Sequence, residues 1–536
     1  MFNFLKRSHI PDRKEPAVST DQPAASTDRV RARPASSGHR VGRRFYDAAE
    51  TDSSSTNWTT TPLTADQVVD RNQRILVARS REQSAGNDYM KAFLRLVGQN
   101  IVGSRGIILQ AQAREGGSGS ALDQEANDAI ESWWTEWSRA ENCDVRGKRS
   151  FRLICKSIVN TAAKDGEYMV RVLSGNSAGP MGFSLQTLDP QRCPVDYNID
   201  RLPDGAFVRQ GIEFSREGRP LAYYFGRSDP ASSGYTHNGS ALDRVPADQI
   251  IHGFVEDIEG QRRGIPWAAT ALWRLNQMKG FERAALINAR STAKMGGFLE
   301  WETGDGPDRD DAFDEDEVLE LEREEGVYQE LPPGLRVKEA NGQYPSGEFT
   351  PFHKAMLRGA GAGMGVSYVS LGNDLEGVNF SSIRQGVLDE REHWMDLQEW
   401  LIEGFVDRVY RKALRVALLR RLVRGPNGPL PASGLSSYQT ALWQARRWPW
   451  VDPQRDINAE VTAKDNLLSA PSEIIRRQGR DPRSVWRQTA ADIADMKAAG
   501  LSDDMIRSAI LGTKAIATDA TTAPKNSGDS GDEDDE

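Results

Sequence analysis

Residues 302–325 carry thirteen carboxylates against two arginines, the densest run of metal-capable oxygen in the chain. Among them are Asp310, Asp311, Asp314, Glu315, Asp316 and Glu317. Such a run could hold a divalent metal for hydrolysis of a phosphodiester, and a metal-dependent hydrolase or nuclease is therefore one reading. The spacing argues against a calcium loop, because Asp308-Arg-Asp310-Asp-Ala312 lacks the third alternate ligand and the central glycine. A solvated acidic face fits the run better. Gly359-Ala-Gly-Ala-Gly-Met-Gly365 is glycine-dense but fits neither phosphate-loop nor dinucleotide spacing, and it follows no strand. Its glycines suit close helix packing or a kink. The six histidines are scattered, and there is no HExxH, CxxC or GxSxG. Cys143, Cys155 and Cys193 are too few and too far apart for a disulfide framework or a zinc site. No catalytic constellation, metal site or cofactor site is predicted.

The elements that would carry these residues start with length and charge. A chain of 536 residues can build several domains, and 38% apolar with 27% charged residues describes a folded, soluble body. Net charge is −9, which argues against tight, static binding of nucleic acid phosphates over a broad face but allows a passage through which DNA slides. No apolar run approaches the ~20 residues that span a bilayer, so no membrane partner is expected. Residues 1–65 are rich in Ser, Thr, Pro, Arg and Asp and are expected to be a disordered arm; 516–536 reads as a disordered acidic tail.

Helices are predicted at 66–81, 87–100, 123–140, 150–164, 482–499 and 503–511, and from Pro266 through Ala293. Ser150 is read as an N-cap. Trp133, Trp134 and Trp137 share one face at helical spacing and are predicted core, not a base-stacking platform. Short strands at 168–173, 183–188, 211–214, 221–225 and 250–254 form a β-rich insert, so the fold class is α+β. The longest helix is predicted over 382–424, opened by a Ser382/Gln385 capping box. Leu388, Met395, Ile402, Val409, Val416 and Val423 repeat every seven residues along it. Trp394, Leu397, Leu401, Phe405, Leu419 and Leu422 widen the seam. Before it, a shorter helix from Lys354 leads into a polar loop, Gly372-Asn373-Asp374-Leu375-Glu376-Gly377-Val378-Asn379. Its turn residues predict exposure.

The run GMGVSYVSLGNDLEGVNFSSIRQGVLDEREHW, residues 363–394, resembles the lambda family of bacteriophage portal proteins. The ordered succession CDVRGKRSF (143–151), GEYMVRVL (166–173), LDPQR (188–192), GIEF (211–214), PLAYYF (220–225) and IIHGF (250–254) resembles it too, as do the Val451-Asp-Pro453 and Ala499-Gly-Leu501 elements. The resemblance implies a portal-type fold: wing 66–265, descending stem helix 266–295, clip 296–348, second stem helix 349–371, tunnel loop 372–381, long wing helix 382–424, wing return segment 425–467 and crown 468–515. It implies that Gly372 to Asn379 face translocating double-stranded DNA, with Lys354, Arg358 and Met364 as stem or channel residues and the acids 310–317 on the clip surface. It further implies a ring of identical chains, twelve in the family, in the capsid portal vertex of a virion, assembled in the host cytoplasm. The partners implied are the large terminase subunit, a head-tail adaptor, and the major capsid and scaffolding proteins. Such a subunit is not an enzyme. Another head-tail scaffold protein is the remaining alternative, one that would lack paired stem helices around a clip.

Overall fold

A computed structural model describes residues 59–115, 121–176, 178–227, 242–294, 298–301, 335–338, 347, 349–374, 376, 380–448 and 453–511. The chain divides at Pro62/Leu63, and everything below concerns the unit from Leu63 onward. Of the arm expected over 1–65, residues 1–58 lie outside the described residues, as do the acids at 302–325 and the tail expected over 516–536.

Helix α1, Ala65–Gly86, opens on a capping box in which the Thr64 hydroxyl accepts from the Gln67 amide and the Gln67 side chain accepts from the Thr64 amide. Asn87 closes α1 and caps α2, Asp88–Val97. A π-turn over Gly98–Val102 extends α2 and is buried almost throughout. Strand β1, Ile108–Ala111, leads to α3, Gln124–Trp137, capped by Asp123. The short α4, Ala140–Cys143, is separate, so the single helix expected to Ala140 ends at Trp137. Its three tryptophans are core: Trp134 and Trp137 stack at 4.7 Å, and the Trp137 indole donates to the Phe183 carbonyl at 3.0 Å. Burying rings of this size contributes ~1.5–3 kcal/mol each.

Helix α5, Phe151–Asp165, begins at Ser150 as expected, but no side-chain cap bond forms there. It ends at Gly166 in the left-handed region, and the chain enters β2, Glu167–Ser174. With β3, Phe183–Leu188, and three later strands β4, Phe207–Arg209, β5, Ile212–Phe214, and β6, Pro220–Gly226, the β-rich insert follows. Strands β7, Leu242–Pro246, and β8, Ile250–Phe254, complete it. The sheets are β3-β2-β8 and β4-β5-β6-β7, all antiparallel. Met169, Cys193, Ile212, Phe214, Tyr223, Phe225, Val245 and Ile250 form a small core of their own. Strands β4 and β7 were not expected; each is short and half-polar, and pairing to its neighbour supplies what its sequence does not.

Helix α6, Leu272–Lys294, starts six residues later than the proline signal at 266 suggests. Residues 267–271 form successive turns, and the Trp267 amide is taken by the Ala163 carbonyl instead of entering a helix. Strands β9, Phe298–Trp301, and β10, Leu335–Lys338, pair antiparallel, with Trp301 opposite Leu335. The expected second stem helix over 349–371 is two helices, α7, Phe349–Gly363, and α8, Tyr368–Gly372. Gly365 at φ +67° breaks them, in a region that L side chains adopt only with strain.

The long rod is continuous from α9, Phe380–Leu401, through a π-turn at Ile402–Val406 into α10, Asp407–Leu419. At ~1.5 Å per residue it is about 60 Å long. It begins two residues before Ser382, where the capping box was expected, so that residue lies inside the first turn. It ends five residues before Arg424: Arg421 takes the left-handed conformation at φ 55° that glycine usually supplies, and the Leu422 amide returns to the Ala417 carbonyl. Strands β11, Arg424–Gly425, and β12, Gly428–Pro429, then form a tight hairpin. After α11, Leu435–Tyr438, strand β13, Ala441–Gln444, pairs with β1, so the late chain closes on the early one. Helices α12, Pro453–Asp465, α13, Pro471–Arg477, α14, Pro482–Ala498, and α15, Asp503–Leu511, finish the described chain. One large core joins α2, α3, α5, β2, β3, the start of α6, α7, α8 and the rod. The architecture is mixed helix and sheet.

Candidate functional site

The polar loop begins where α8 ends, and its root is held by short-range chemistry. The Ser367 hydroxyl caps α8 by accepting from the Ser370 amide at 3.1 Å. Asn373 ends it at φ 50°, a conformation that asparagine tolerates better than most residues. Asp374 Oδ1 accepts from the Glu376 amide at 2.9 Å, which turns the chain at the loop's entry. Asp374 Oδ2 accepts from the Tyr368 hydroxyl and lies 3.0 Å from Lys354 Nζ on α7. Lys354 also donates to Glu376 Oε2 at 3.0 Å. The Arg358 guanidinium lies 5.3 Å from the Tyr368 ring centroid, at cation–π distance.

This arrangement fixes charge. The Tyr368 hydroxyl, then the Glu376 amide and Lys354, hold the Asp374 carboxyl down to about 2. Hydrogen bonds to Glu376 and Asp374 push Lys354 above its usual range, and burial followed by the Asp374 contact pushes the Tyr368 phenol up. The root is also tied to the rod: Ser370 Oγ donates to Glu390 Oε2 at 2.9 Å, and Glu390 Oε1 accepts from the buried Trp394 indole at 3.2 Å.

The structure thus brings Gly372, Asn373, Asp374 and Glu376 together with Lys354 and Arg358. Leu375, Gly377, Val378 and Asn379 lie outside the described residues, as do Asp310, Asp311, Asp314, Glu315, Asp316 and Glu317. Met364, expected on a channel wall, is 4% exposed and packs in the large core beside Leu357, Ala360 and Leu371. The loop is also shorter than 372–381, since Gly372 is helical and α9 starts at Phe380.

The glycines of 359–365 serve contact. A Cβ on Gly363 would stand 2.7 Å from Thr270 Oγ1, which donates to the Gly363 carbonyl at 3.1 Å. A Cβ on Gly361 would stand 2.9 Å from the Val366 carbonyl. Arg274 donates to the Gly359 carbonyl at 3.3 Å, so α6 and α7 approach closely along this stretch. Farther along the pair, His353 Nε2 is 2.7 Å from Glu282 Oε1, to which the Tyr89 hydroxyl also donates at 3.3 Å.

A second charged centre escapes sequence reasoning. Glu167 and Arg263 are both fully buried. Arg263 Nη2 donates to Glu167 Oε1 at 2.7 Å and its Nε to Oε2 at 2.9 Å. His252 Nε2 lies 3.0 Å from Oε2, the Gly264 amide donates there at 3.0 Å, and Gln73 donates to Oε1 at 3.2 Å. Arg263 also donates to the carbonyls of Pro190, Cys193 and Gln210. Burial alone would raise the Glu167 carboxyl, but the Arg263 charge and the His252 contact outweigh it and hold it down to about 2. Gly166 and Gly264 meet so closely that a Cβ on Gly264 would stand 2.1 Å from the Gly166 carbonyl oxygen. With the Glu167 carboxylate and the Arg263 guanidinium fully engaged, the centre ties both sheets to α1 and is a structural clamp. The one sequence trace of it is a glycine beside each charge, Gly166-Glu167 and Arg263-Gly264. Among the described residues, no group of three or more His, Cys, Asp or Glu side chains could hold a metal, and no helix is long and apolar enough to cross a membrane.

A helix-and-sheet scaffold that holds a charged loop between a short helix and a long rod has the form of a structural subunit. Comparison with known proteins gives the particular family. The sequence profile of "Phage portal protein, lambda family" matches residues 51–398. The probable portal protein of Halomonas phage phiHAP-1 is 33% identical over 483 residues, covering 89% of this chain and 91% of that one. Portal protein B of Escherichia phage lambda is 21% identical over 458 residues, covering 79% and 84%. A solved chain from the neck of an empty gene transfer agent particle is similar over 77% of this chain and 95% of its own, at 15% identity and a TM-score of 0.43. The chain belongs to the lambda family of phage portal proteins, as the resemblance in its sequence implied. It is a phage portal protein.

Proposed function

We propose that identical copies of this chain close into a ring of twelve around an axial hole. Double-stranded DNA passes through that hole during packaging and ejection, while a separate terminase hydrolyses ATP. Contacts that repeat head to tail and close generate such rings. The observation that carries the reading of the loop is its charge: no Lys or Arg lies between Gly372 and Ser382, and Lys354, the nearest base, is already paired to Asp374 and Glu376. A surface past which a polyanion slides must make few counterion-releasing contacts, since each one adds affinity. On this reading, 373–379 is the tunnel loop, α6 and α7 are stem helices, and the 380–419 rod spans the wing. The stretch bracketed by β9 and β10 is the clip, which receives the large terminase subunit and then a head-tail adaptor. Helices α13 to α15 form the crown. Major capsid and scaffolding proteins surround the ring, which assembles in the host cytoplasm before entering the virion. The subunit itself is non-catalytic.

Deleting Gly372 to Asn379 tests this. Rings of unchanged mass with impaired packaging or DNA retention are expected; unchanged packaged length and head stability would overturn the assignment of the loop. Mass measurement and negative-stain imaging of the intact chain at neutral pH test the ring, and a strictly monomeric mass at high concentration would overturn it.

A further inference from the structure

A cleft of about 880 Å³ among the described residues lies far in sequence from the loop and has no part in its chemistry. It is built by the turn Gly103-Ser-Arg-Gly106 and the start of β1, Glu131 of α3, the end of β13 with Arg446 and Arg447, the link Gln478-Gly-Arg-Asp481, and the first turns of α14. Arg105, Arg446, Arg447 and Arg480 line it against two carboxylates, Glu131 and Asp481. Both carboxylates are already engaged with backbone: Glu131 accepts from the Ala111 amide at 2.9 Å, and Asp481 caps α14 by accepting from the amides of Arg483 and Ser484. Among the described residues, no salt bridge joins the four lining arginines to either of them. Arg446 bonds the Gln99 carbonyl and Asn100 Oδ1, and Arg447 bonds Gln398 Oε1 at 3.2 Å, all neutral acceptors. Burial, then the charge of Arg391, disfavours the protonated form of Arg446, as expected where positive charge is under-compensated.

The walls are shaped to keep the arginine stems in place. A Cβ on Gly103 would meet the Arg446 side chain at 3.1 Å, and one on Gly479 would meet Arg447 at 3.4 Å; both glycines have positive φ. A concave site with surplus guanidinium forks takes carboxylates or other oxyanions in series, since each fork matches a planar oxyanion.

The geometry points to this cleft as the docking site of the chain's own acidic C-terminal segment, Ser527–Glu536. That segment carries six carboxylates, Asp529, Asp532, Glu533, Asp534, Asp535 and Glu536, and no basic residue. Its tether is long enough: the fifteen residues 512–526 reach up to ~50 Å when extended, whereas α14, which leads from the cleft towards α15, has 17 residues and is about 25 Å long. Tethering makes the contact intramolecular, so an anionic competitor in solution must displace a ligand held at high effective concentration. The inference rests on the cleft and the tail alone and is independent of how the loop is read.

The test uses the full chain and a variant with its tail neutralised, Asp529, Asp532, Asp534 and Asp535→Asn with Glu533 and Glu536→Gln. A labelled synthetic peptide of residues 527–536 is titrated into each by fluorescence anisotropy at low and moderate salt. The peptide is expected to bind the neutralised variant at least tenfold more tightly than the unmodified chain, where the tail competes, and to weaken with salt. Adding Arg480→Glu, or separately the exposed-loop change Arg105→Gln, to the neutralised variant should weaken binding, tenfold or more for the charge reversal. Equal binding to both chains, no binding to the neutralised variant, or indifference to both arginine changes would overturn the assignment. A short DNA duplex that bound both chains equally and was lost with Arg480→Glu would give the cleft to nucleic acid and overturn it as well.

Discussion

Lys354 Nζ stands 3.0 Å from Asp374 Oδ2, a contact that joins the helix before the polar loop to the loop's first turn. The same ammonium reaches Glu376, so one cation restrains two of the loop's acids. Lys354→Gln removes both restraints without touching the core. Amide exchange at residues 373–376 is expected to quicken several-fold while the melting temperature stays unchanged, because exposed pairs add little to global stability. Unchanged exchange would show that the Tyr368 contact holds the turn alone.

The acidity of Asp374 sets a pH window. Its carboxyl is held down to about 2 by the Tyr368 hydroxyl first and then by Glu376 and Lys354, against an ordinary value near 3.9. A depressed value means that the tether is fully present above the ordinary range and is lost only as pH falls through the folded value. The exchange rate of the Glu376 amide, corrected for intrinsic pH dependence, should therefore stay flat from pH 7 to pH 4. Early release near pH 4 would contradict the geometry.

The clamp at Glu167 predicts a large effect from a small change. Glu167→Gln leaves Arg263 charged, buried and without its counterion, a situation that costs ~3–5 kcal/mol. Urea unfolding should show a loss of that order. Because the Glu167 carboxyl is held down to about 2, its contribution is complete above the unfolded value near 4.3 and is lost as pH falls towards 2. Replacing Glu167 and Arg263 together by apolar residues of similar volume should cost less than the single change.

Gly365 at φ +67° has His393 Nε2 only 2.9 Å from where a Cβ would sit. Gly365→Ala therefore combines left-handed strain with a contact that the imidazole must relieve, and a loss of ~1–2 kcal/mol is expected from the backbone alone. Calorimetry reads it directly. Gly365→Asn, which tolerates the conformation better, should lose less than a residue such as valine at the same place.

Much of this fold was legible because periodic burial leaves a mark. The seam through Trp394, Leu397, Leu401, Ile402, Phe405 and Val409 is buried as its spacing implies, and the strand runs at 183–188 and 250–254 fall where they were read. The seam fails at Leu388, its first member, and at Leu419, both exposed, whereas its last member, Val423, is buried. It also shifts in the middle: the π-turn at Ile402–Val406 inserts an extra residue, after which Tyr410, Ala413, Leu414, Ala417 and Leu418 form the buried face. A seven-residue count cannot register a wider turn, and Gly404 was its faint sign. The glycines of 359–365 allowed either close packing or a kink, and nothing in the sequence chose Gly365 as the break; Met364 was assigned to the channel by the family resemblance alone. The Glu167–Arg263 pair joins residues 96 apart, and nothing local distinguishes a buried charge from a solvated one. At the loop, composition exposed the acids, but the counter-charge on Lys354 comes from another helix.

The β9–β10 ladder sets Trp301 directly opposite Leu335, so both ends of the intervening acidic stretch leave the body side by side. A segment whose entry and exit are pinned together can lengthen, shorten or change its residues without transmitting strain to the helices on either side. Over evolutionary time such a cassette can be rewritten to suit new attachments while the frame that carries it stays the same.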